Sequence, residues 1–178
     1  MTAELRVVHT ADLGAETRSA IRVLLDGSFG NMTDDAFENS LGGVHALLDD
    51  DGTGLIGHAS VVQRHLVAGG RTLRTGYIEA VAVREDRRRE GHGARMMAAL
   101  ERVVQSAYQL GALGASPDGA RLYSARGWQL WQGASAALTP EGVRRTPDKD
   151  GWIYVLPVGQ RLDLSGEIVC DWRPGDLW

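Results

Sequence analysis

Between Tyr77 and Leu100 the chain passes from an apolar, strand-like run, YIEAVAV (Tyr77–Val83), to RRREGHGARMMAAL (Arg87–Leu100), in which clustered arginines and two glycines lead into an amphipathic helical pattern. This junction constrains the fold more than any other segment, because it fixes where a strand must give way to a helix. Glycine lets backbone approach a ligand closely, and the first turn of a helix presents unpaired N–H groups that carry partial positive charge. Together they favour a pyrophosphate. The spacing Arg88-x-x-Gly91-x-Gly93 is not G-x-G-x-x-G, and no G-K-[ST] follows, so neither the dinucleotide fingerprint nor a P-loop is present. Taken alone, the turn fits a helix entry edged by solvated arginines equally well.

Around this junction the pattern predicts a mixed sheet. LRVVH (Leu5–His9) reads as a strand, and ETRSAIRVLLDGSF places Ile21, Leu24, Leu25 and Phe29 at helical spacing. Thr33 is a capping residue ahead of two aspartates that suit a helix N-terminus. HALLDD and LIGHASVVQRHLV form a hairpin about Asp51-Gly52, and a second turn at Gly69-Gly70 leads into RTLRTGYIEAVAV. After the long helix, AYQLGALGAS reads as a buried strand, DGARLYSARGW as a short helix ended by Gly127, and WQLWQG as a strand. TPEGVRRTPDKDG is expected to be a surface loop, and IYVLP and LDLSGEIVCDW resume strand character. The order of elements predicts an α+β fold with a mixed sheet, not a doubly wound one.

A length of 178 residues with 43% hydrophobic and 24% charged residues suits one globular domain, residues 1–178. The N-terminus lacks the apolar region of a signal peptide and no later run reaches membrane-spanning length, so a cytoplasmic protein without membrane attachment is expected. The formal net charge of -4 argues against nucleic acid and favours a cationic partner. Cys170 is the lone cysteine and is expected to pack as a small hydrophobe. The five histidines (His9, His45, His58, His65 and His92) show no ligand spacing, so no metal is assigned. His45, His58 and His65 lie in strand-like runs and read as structural, while His92 sits inside the glycine turn.

YIEAVAV followed by Arg88-x-x-Gly91-x-Gly93-Ala94 resembles the central strand and acetyl-CoA motif of the GNAT N-acetyltransferases, and LYSARGWQLW (Leu122–Trp131) is similar to their later helix-to-strand segment. Four blocks resemble, more narrowly, the aminoglycoside 2'-N-acetyltransferases: LGGVHAL (Leu41–Leu47), GYIEAVAV (Gly76–Val83), AYQLGALGAS (Ala107–Ser116) and CDWRPGDLW (Cys170–Trp178). The resemblance implies a GNAT fold, a mostly antiparallel sheet with a splayed, bulged central strand flanked by helices. It also implies acetyl-CoA as co-substrate, a polycationic amine as acceptor, and pairing into a homodimer.

On this resemblance Val81, Ala82 and Val83 grip the pantetheine through their backbone, with the Val81 N–H facing the thioester oxygen. The turn Arg88, Arg89, Glu90, Gly91, His92, Gly93 and Ala94 holds the pyrophosphate. An aliphatic amine is mostly protonated at neutral pH, so transfer needs a base, and Glu79 occupies the family's acidic position. Tyr123 matches the position of a tyrosine general acid for the leaving thiolate. An oxyanion donor such as the Val81 amide is worth on the order of 3 kcal/mol. Direct transfer needs no covalent intermediate, and Cys170 is not required as a nucleophile.

The acceptor's ammonium groups call for carboxylates and carbonyls. Asp176 and the terminal carboxylate of Trp178 lie in the family-like tail, with Ala80 and Gly114 offering backbone oxygens. Burying the rings of Trp172 and Trp178 would keep this tail from fraying. Two departures stand out: Asn31 and Ala36 occupy positions where the family carries aspartates, leaving Asp34 and Asp35 as substitutes, and Lys149 interrupts an acidic cluster, leaving Asp148 and Asp150. They keep open a cell-wall amino sugar or a protein amine as acceptor, and a non-catalytic module that binds acetyl-CoA or the drug.

Overall fold

AETRSAIRVLLDGSF folds as α1 (Ala15–Phe29) because Ile21, Leu24 and Leu25 recur on one face and bury against Leu13, Leu47 and Ala82. Phe29, expected on that face, is 52% exposed: it is the last helical residue, and the chain turns away at Gly30, whose φ of 70° closes the helix with a bond from its N–H to the Asp26 carbonyl. The computed structural model describes residues 3–178. The chain gathers into two compact units, Met1–Val62 with Ile78–Val103, and Gln63–Tyr77 with Val104–Trp178. Two strands and one helix run through both: β3 (Gly54–Ala68), β4 (Arg71–Val83) and α3 (His92–Ala107).

In the first unit, β1 (Glu4–His9) pairs antiparallel with β2 (Val44–Asp50), and β2 pairs antiparallel with the start of β3. The Asp51-Gly52 turn closes this hairpin with Gly52 at φ 90°, and a bulge at Leu48/Asp49 shifts the register. Gly43 admits no side chain, because a Cβ there would stand 2.0 Å from the Val61 carbonyl oxygen. The short α2 (Asp34–Asn39) begins as expected at Thr33, whose hydroxyl accepts the Ala36 N–H at 3.2 Å. Met96, Met97 and Leu100 of α3 are fully buried.

In the second unit, Thr75–Tyr77 of β4 pair in parallel with Leu110–Ala112 of β5 (Leu110–Gly114), which pairs antiparallel with β9 (Ile153–Pro157). β6 (Gln129–Leu130) adds to the far edge of β9, after α4 (Pro117–Ala125), whose end is marked by Gly127 at φ 86°. The last residues of β3 pair antiparallel with β10 (Ile168–Cys170), which lies parallel to β7 (Ser135–Thr139).

The expected loop beyond Thr139 is corrected here. Gly142, at φ 112°, reverses the chain so that β8 (Gly142–Arg145) pairs antiparallel with β7, and Pro147–Lys149 form a 3-10 turn. Several expected strands are shorter than their apolar runs: helix takes Ala107 from AYQLGALGAS, and only Ile168–Cys170 of LDLSGEIVCDW pair. The predicted α+β class, with a mixed and mostly antiparallel sheet, holds.

Candidate active site

In β4 the backbone departs from regular strand geometry at one residue. Ala80 is a non-glycine residue at φ 51°, in the left-handed region that a Cβ disfavours. The parallel ladder with β5 covers Thr75–Tyr77, so Ala80 and the rest of β4 follow the end of that ladder. Ala80 and Ala82 pack onto the Leu24–Leu25–Leu47 core, while Glu79, Val81 and Val83 stay half-buried. The Ala80 carbonyl, expected to face a substrate, accepts a hydrogen bond from His58 Nδ1 at 2.9 Å, which leaves its second lone pair for another donor.

That bond ends a buried chain. Thr10 Oγ1 lies 2.6 Å from His45 Nε2, and His45 Nδ1 lies 2.9 Å from His58 Nε2. Both rings are fully buried, and burial pushes both pKa values down to about 4, so both are neutral at pH 7. His45 and His58 confirm their structural reading, whereas His65 is exposed. The register makes the pair legible afterwards: His45 opposes Ser60, so His58 is its diagonal neighbour on the same face.

Past β4 the turn is held by its own ion pairs. Arg87 bonds the Asp50 and Glu90 carboxylates, Arg84 bonds Asp86 at 2.6 Å, and Arg88 Nε donates to the Val83 carbonyl at 3.1 Å. Arg87 holds the Asp50 carboxyl below its usual range. Neither Asp50 nor Arg87 stood out in the sequence; an aspartate closing a buried strand was the available signal. Arg89 (φ 65°) and Gly91 (φ 80°) both adopt left-handed backbone before α3 opens. The Arg95 N–H is bonded to the Gly91 carbonyl, so His92, Gly93 and Ala94 occupy the first turn, whose amides have no intrahelical partner. His92 is buried, with Nε2 on Glu90 at 3.1 Å and Nδ1 lacking a partner. Left-handed backbone, free amides, exposed Arg88 and Arg89 and an orphaned ring nitrogen fit a pyrophosphate.

Elsewhere in this unit Asn31 is exposed at φ 68°, Asp34 pairs with Arg22 at 2.9 Å, and Asp35 is exposed. A cavity of about 690 Å³ between α1 and the start of β3, reaching Arg84 and Glu85, contains none of the predicted site residues.

The second unit holds the remaining candidates. Tyr123, on α4, is buried edge-on to Trp128 at 6.4 Å and tilted against Tyr154 at 6.5 Å, and burial pushes its phenol up to about 12. The C-terminal tail folds back as expected. Trp178 is 6% exposed and its indole N–H donates to Thr146 Oγ1 at 2.9 Å. A Cβ added at Gly114 would lie 3.9 Å from the backbone carbonyl carbon of Trp178, so the glycine and Trp178 are neighbours. Trp172, expected to be buried with it, is 54% exposed: it stands outside the bonds that hold Trp178. Asp150 is engaged by the Ser135 N–H and hydroxyl at 2.8 Å and by Arg145 at 2.8 Å, while Asp148 is exposed. Asp176 pairs with Lys149 at 2.7 Å. Cys170 is buried and its thiol is pushed up to about 11 by burial, which suits packing and not attack.

A mixed sheet whose fourth strand, with Ala80 in left-handed backbone, leads to an amide-lined helix entry places the chain in the N-acetyltransferase class of folds. The chain matches the acetyltransferase (GNAT) family over residues 15–128 and belongs to that family. It is 49% identical to an aminoglycoside 2'-N-acetyltransferase of Mycolicibacterium fortuitum, an alignment that covers 97% of this chain and 91% of that protein. Among solved structures it is similar to the GNAT family N-acetyltransferase YhbS of Escherichia coli in complex with CoA, with a TM-score of 0.63, 18% identity, and coverage of 94% and 89% of the two chains. A GNAT family acetyltransferase of Brucella melitensis in complex with acetyl-CoA aligns with a TM-score of 0.60, 14% identity, and coverage of 93% and 94%. Among the described residues no helix is long and apolar enough to cross a membrane, and no three His, Cys, Asp or Glu side chains gather as metal ligands would.

Proposed function

We propose that this chain is an acetyl-CoA-dependent N-acetyltransferase that acetylates the 2'-amine of aminoglycosides, acting in the cytoplasm as a homodimer of single-domain subunits and conferring resistance. The observation that carries the reading is the 49% identity to an aminoglycoside 2'-N-acetyltransferase across 97% of the chain. It is supported by the left-handed backbone at Ala80 and by the amides of His92, Gly93 and Ala94 after Gly91.

Acetyl-CoA supplies the activated acetyl group as a thioester. The turn Arg88–Ala94 holds its pyrophosphate, and the backbone of Val81–Val83 holds its pantetheine arm. Glu79 takes the proton of the 2'-ammonium, directly or through water, so that a neutral nitrogen forms the new bond to the acetyl carbon. The Val81 N–H donates to the oxygen on which charge develops. As the carbon–sulfur bond breaks, Tyr123 gives its phenolic proton to the sulfur and is reprotonated, directly or through water, by the proton that the attacking nitrogen sheds on becoming an amide; a phenol held near 12 is protonated at pH 7. Asp176, Asp148 and the Trp178 carboxylate attract the acceptor's other ammonium groups, with Asn31, Asp35, Ala80 and Gly114 as further polar contacts. Asp150 contributes through its field, since its oxygens are engaged by Ser135 and Arg145.

Release of CoA thiol from acetyl-CoA with tobramycin, which has a 2'-amine, beside kanamycin A, which has a 2'-hydroxyl, tests this reading. Turnover with tobramycin alone is the expected result. Turnover with both would move the acetylated amine, and turnover with neither would overturn the aminoglycoside assignment.

A further inference from the structure

The chain Thr10–His45–His58–Ala80 has one consistent set of proton positions. A carbonyl only accepts, so His58 must donate from Nδ1 to Ala80 at 2.9 Å. In the neutral ring Nε2 is then an acceptor, and it takes the His45 Nδ1 proton at 2.9 Å. His45 Nε2 accepts in turn from the Thr10 hydroxyl at 2.6 Å, and the Thr10 oxygen receives the Gly42 and Gly43 N–H groups at 2.9 and 3.1 Å. Thr10 has a single hydroxyl proton, so its 3.1 Å approach to the Gly43 carbonyl carries none. Every donor and acceptor of the two rings is therefore used, and the polarity runs one way, from Thr10, just past β1, and the Gly42–Gly43 turn to Ala80 in β4.

The receiving end matters because of peptide geometry. The Ala80 carbonyl and the Val81 N–H belong to one planar trans unit and point in opposite directions; the described residues contain no cis peptide. Pinning the carbonyl therefore aims the amide. Ala80 also sits at φ 51°, a conformation that a non-glycine residue keeps only when its surroundings impose it.

We infer that His58, backed by His45 and Thr10, is a positioning residue for acetyl transfer: by gripping the Ala80 carbonyl it holds the left-handed backbone at Ala80 and directs the Val81 N–H toward the oxygen it stabilises. This rests on the function proposed above for Val81. His58 touches no reacting atom and moves no proton to substrate; its Nδ1 proton stays on the carbonyl throughout turnover.

The test uses the full chain with acetyl-CoA and tobramycin. His58→Leu is expected to lower kcat by about 10- to 100-fold, as loss of alignment at a reacting centre does, while KM for acetyl-CoA stays within about twofold. His58→Asn, whose amide nitrogen can replace Nδ1 as donor, is expected to keep kcat within about threefold of wild type. Long-range proton–nitrogen NMR of the wild-type protein should show both rings protonated on Nδ1 at pH 7, and the Val81 amide resonance should move in His58→Leu but not in His58→Asn. An Nε2-protonated His58 would overturn the inference, as would a folded His58→Leu that keeps wild-type kcat or an unmoved Val81 amide. Should His58→Leu fail to fold, the tautomer and the Asn variant decide it. A wild-type protein inactive on every aminoglycoside would remove the functional reading, and the tautomer and Val81 shift would still decide whether His58 aims that amide.

Discussion

The Lys149 ammonium lies 2.7 Å from an Asp176 carboxylate oxygen, so the residue that breaks the acidic run of TPDKDG neutralises a second carboxylate in the C-terminal tail. The pair is partly exposed, and such pairs add little to stability. With Asp176 in the acceptor-binding role proposed above, a polycation meets an ammonium already paired with that carboxylate. Lys149→Gln is therefore expected to lower KM for tobramycin by about 3- to 10-fold at low salt, with the gain shrinking as ionic strength rises. KM measured across a salt series checks this, and an unchanged KM would place Lys149 outside the acceptor's reach.

Tyr123 separates ring from hydroxyl. Its ring packs on Trp128 and Tyr154, and Tyr123→Phe keeps that packing while removing the proposed acid. Turnover is expected to fall by about 100-fold, the lower range of general acid catalysis, with the melting temperature nearly unchanged. Because the phenol is pushed up to about 12, wild-type activity should show no alkaline limb from Tyr123 below pH 10. Full activity in the Phe variant would leave Tyr123 as packing.

Glu79 is tested through pH. Glu79→Gln retains size and removes the proposed base, and the expected result is a loss of about 100-fold or more in kcat/KM, with the remaining rate rising with pH as more free amine becomes available. A pH profile and rate like those of wild type would strike Glu79 from the mechanism.

Much of this arrangement was legible in the sequence because it rests on local chemistry. The Asp51-Gly52 and Gly69-Gly70 turns, the Thr33 cap and the apolar stripe of α1 each follow from neighbours a few residues apart. The glycine turn at Gly91 was found for the same reason. What the sequence hid depends on long-range pairing. β8 reads as a loop because its four residues are all exposed and gain strand form only from β7. Asp150 reads as a free carboxylate until Ser135, fifteen residues away, is seen bonded to it. The His45–His58 pair needs the hairpin register, and a bulge at Leu48/Asp49 shows that turn residues alone do not set that register throughout.

The histidine chain also makes stability depend on pH in a window of its own. In the unfolded chain both imidazoles titrate near 6.5, whereas in the fold burial lowers both to about 4, with His9 and Arg18 adding repulsion at His45. Folding thus favours the neutral form. The stabilisation is fully present above 6.5, and it is lost as pH falls from there toward 4, because the unfolded chain takes up protons that the fold refuses. Each pKa unit corresponds to about 1.4 kcal/mol, so the pair accounts for a few kcal/mol over that interval. The carboxylates whose pKa values are lowered in the fold, Asp50, Asp86, Asp150 and Asp163, start from 3.8 and withdraw their contribution mainly below the same window. Urea unfolding between pH 8 and 4 should show a plateau above 7 and a steady decline beneath it, and the double variant His45→Gln/His58→Asn should flatten the decline. A slope that survives in the double variant would assign the acid sensitivity to other groups and leave the two imidazoles without this thermodynamic role.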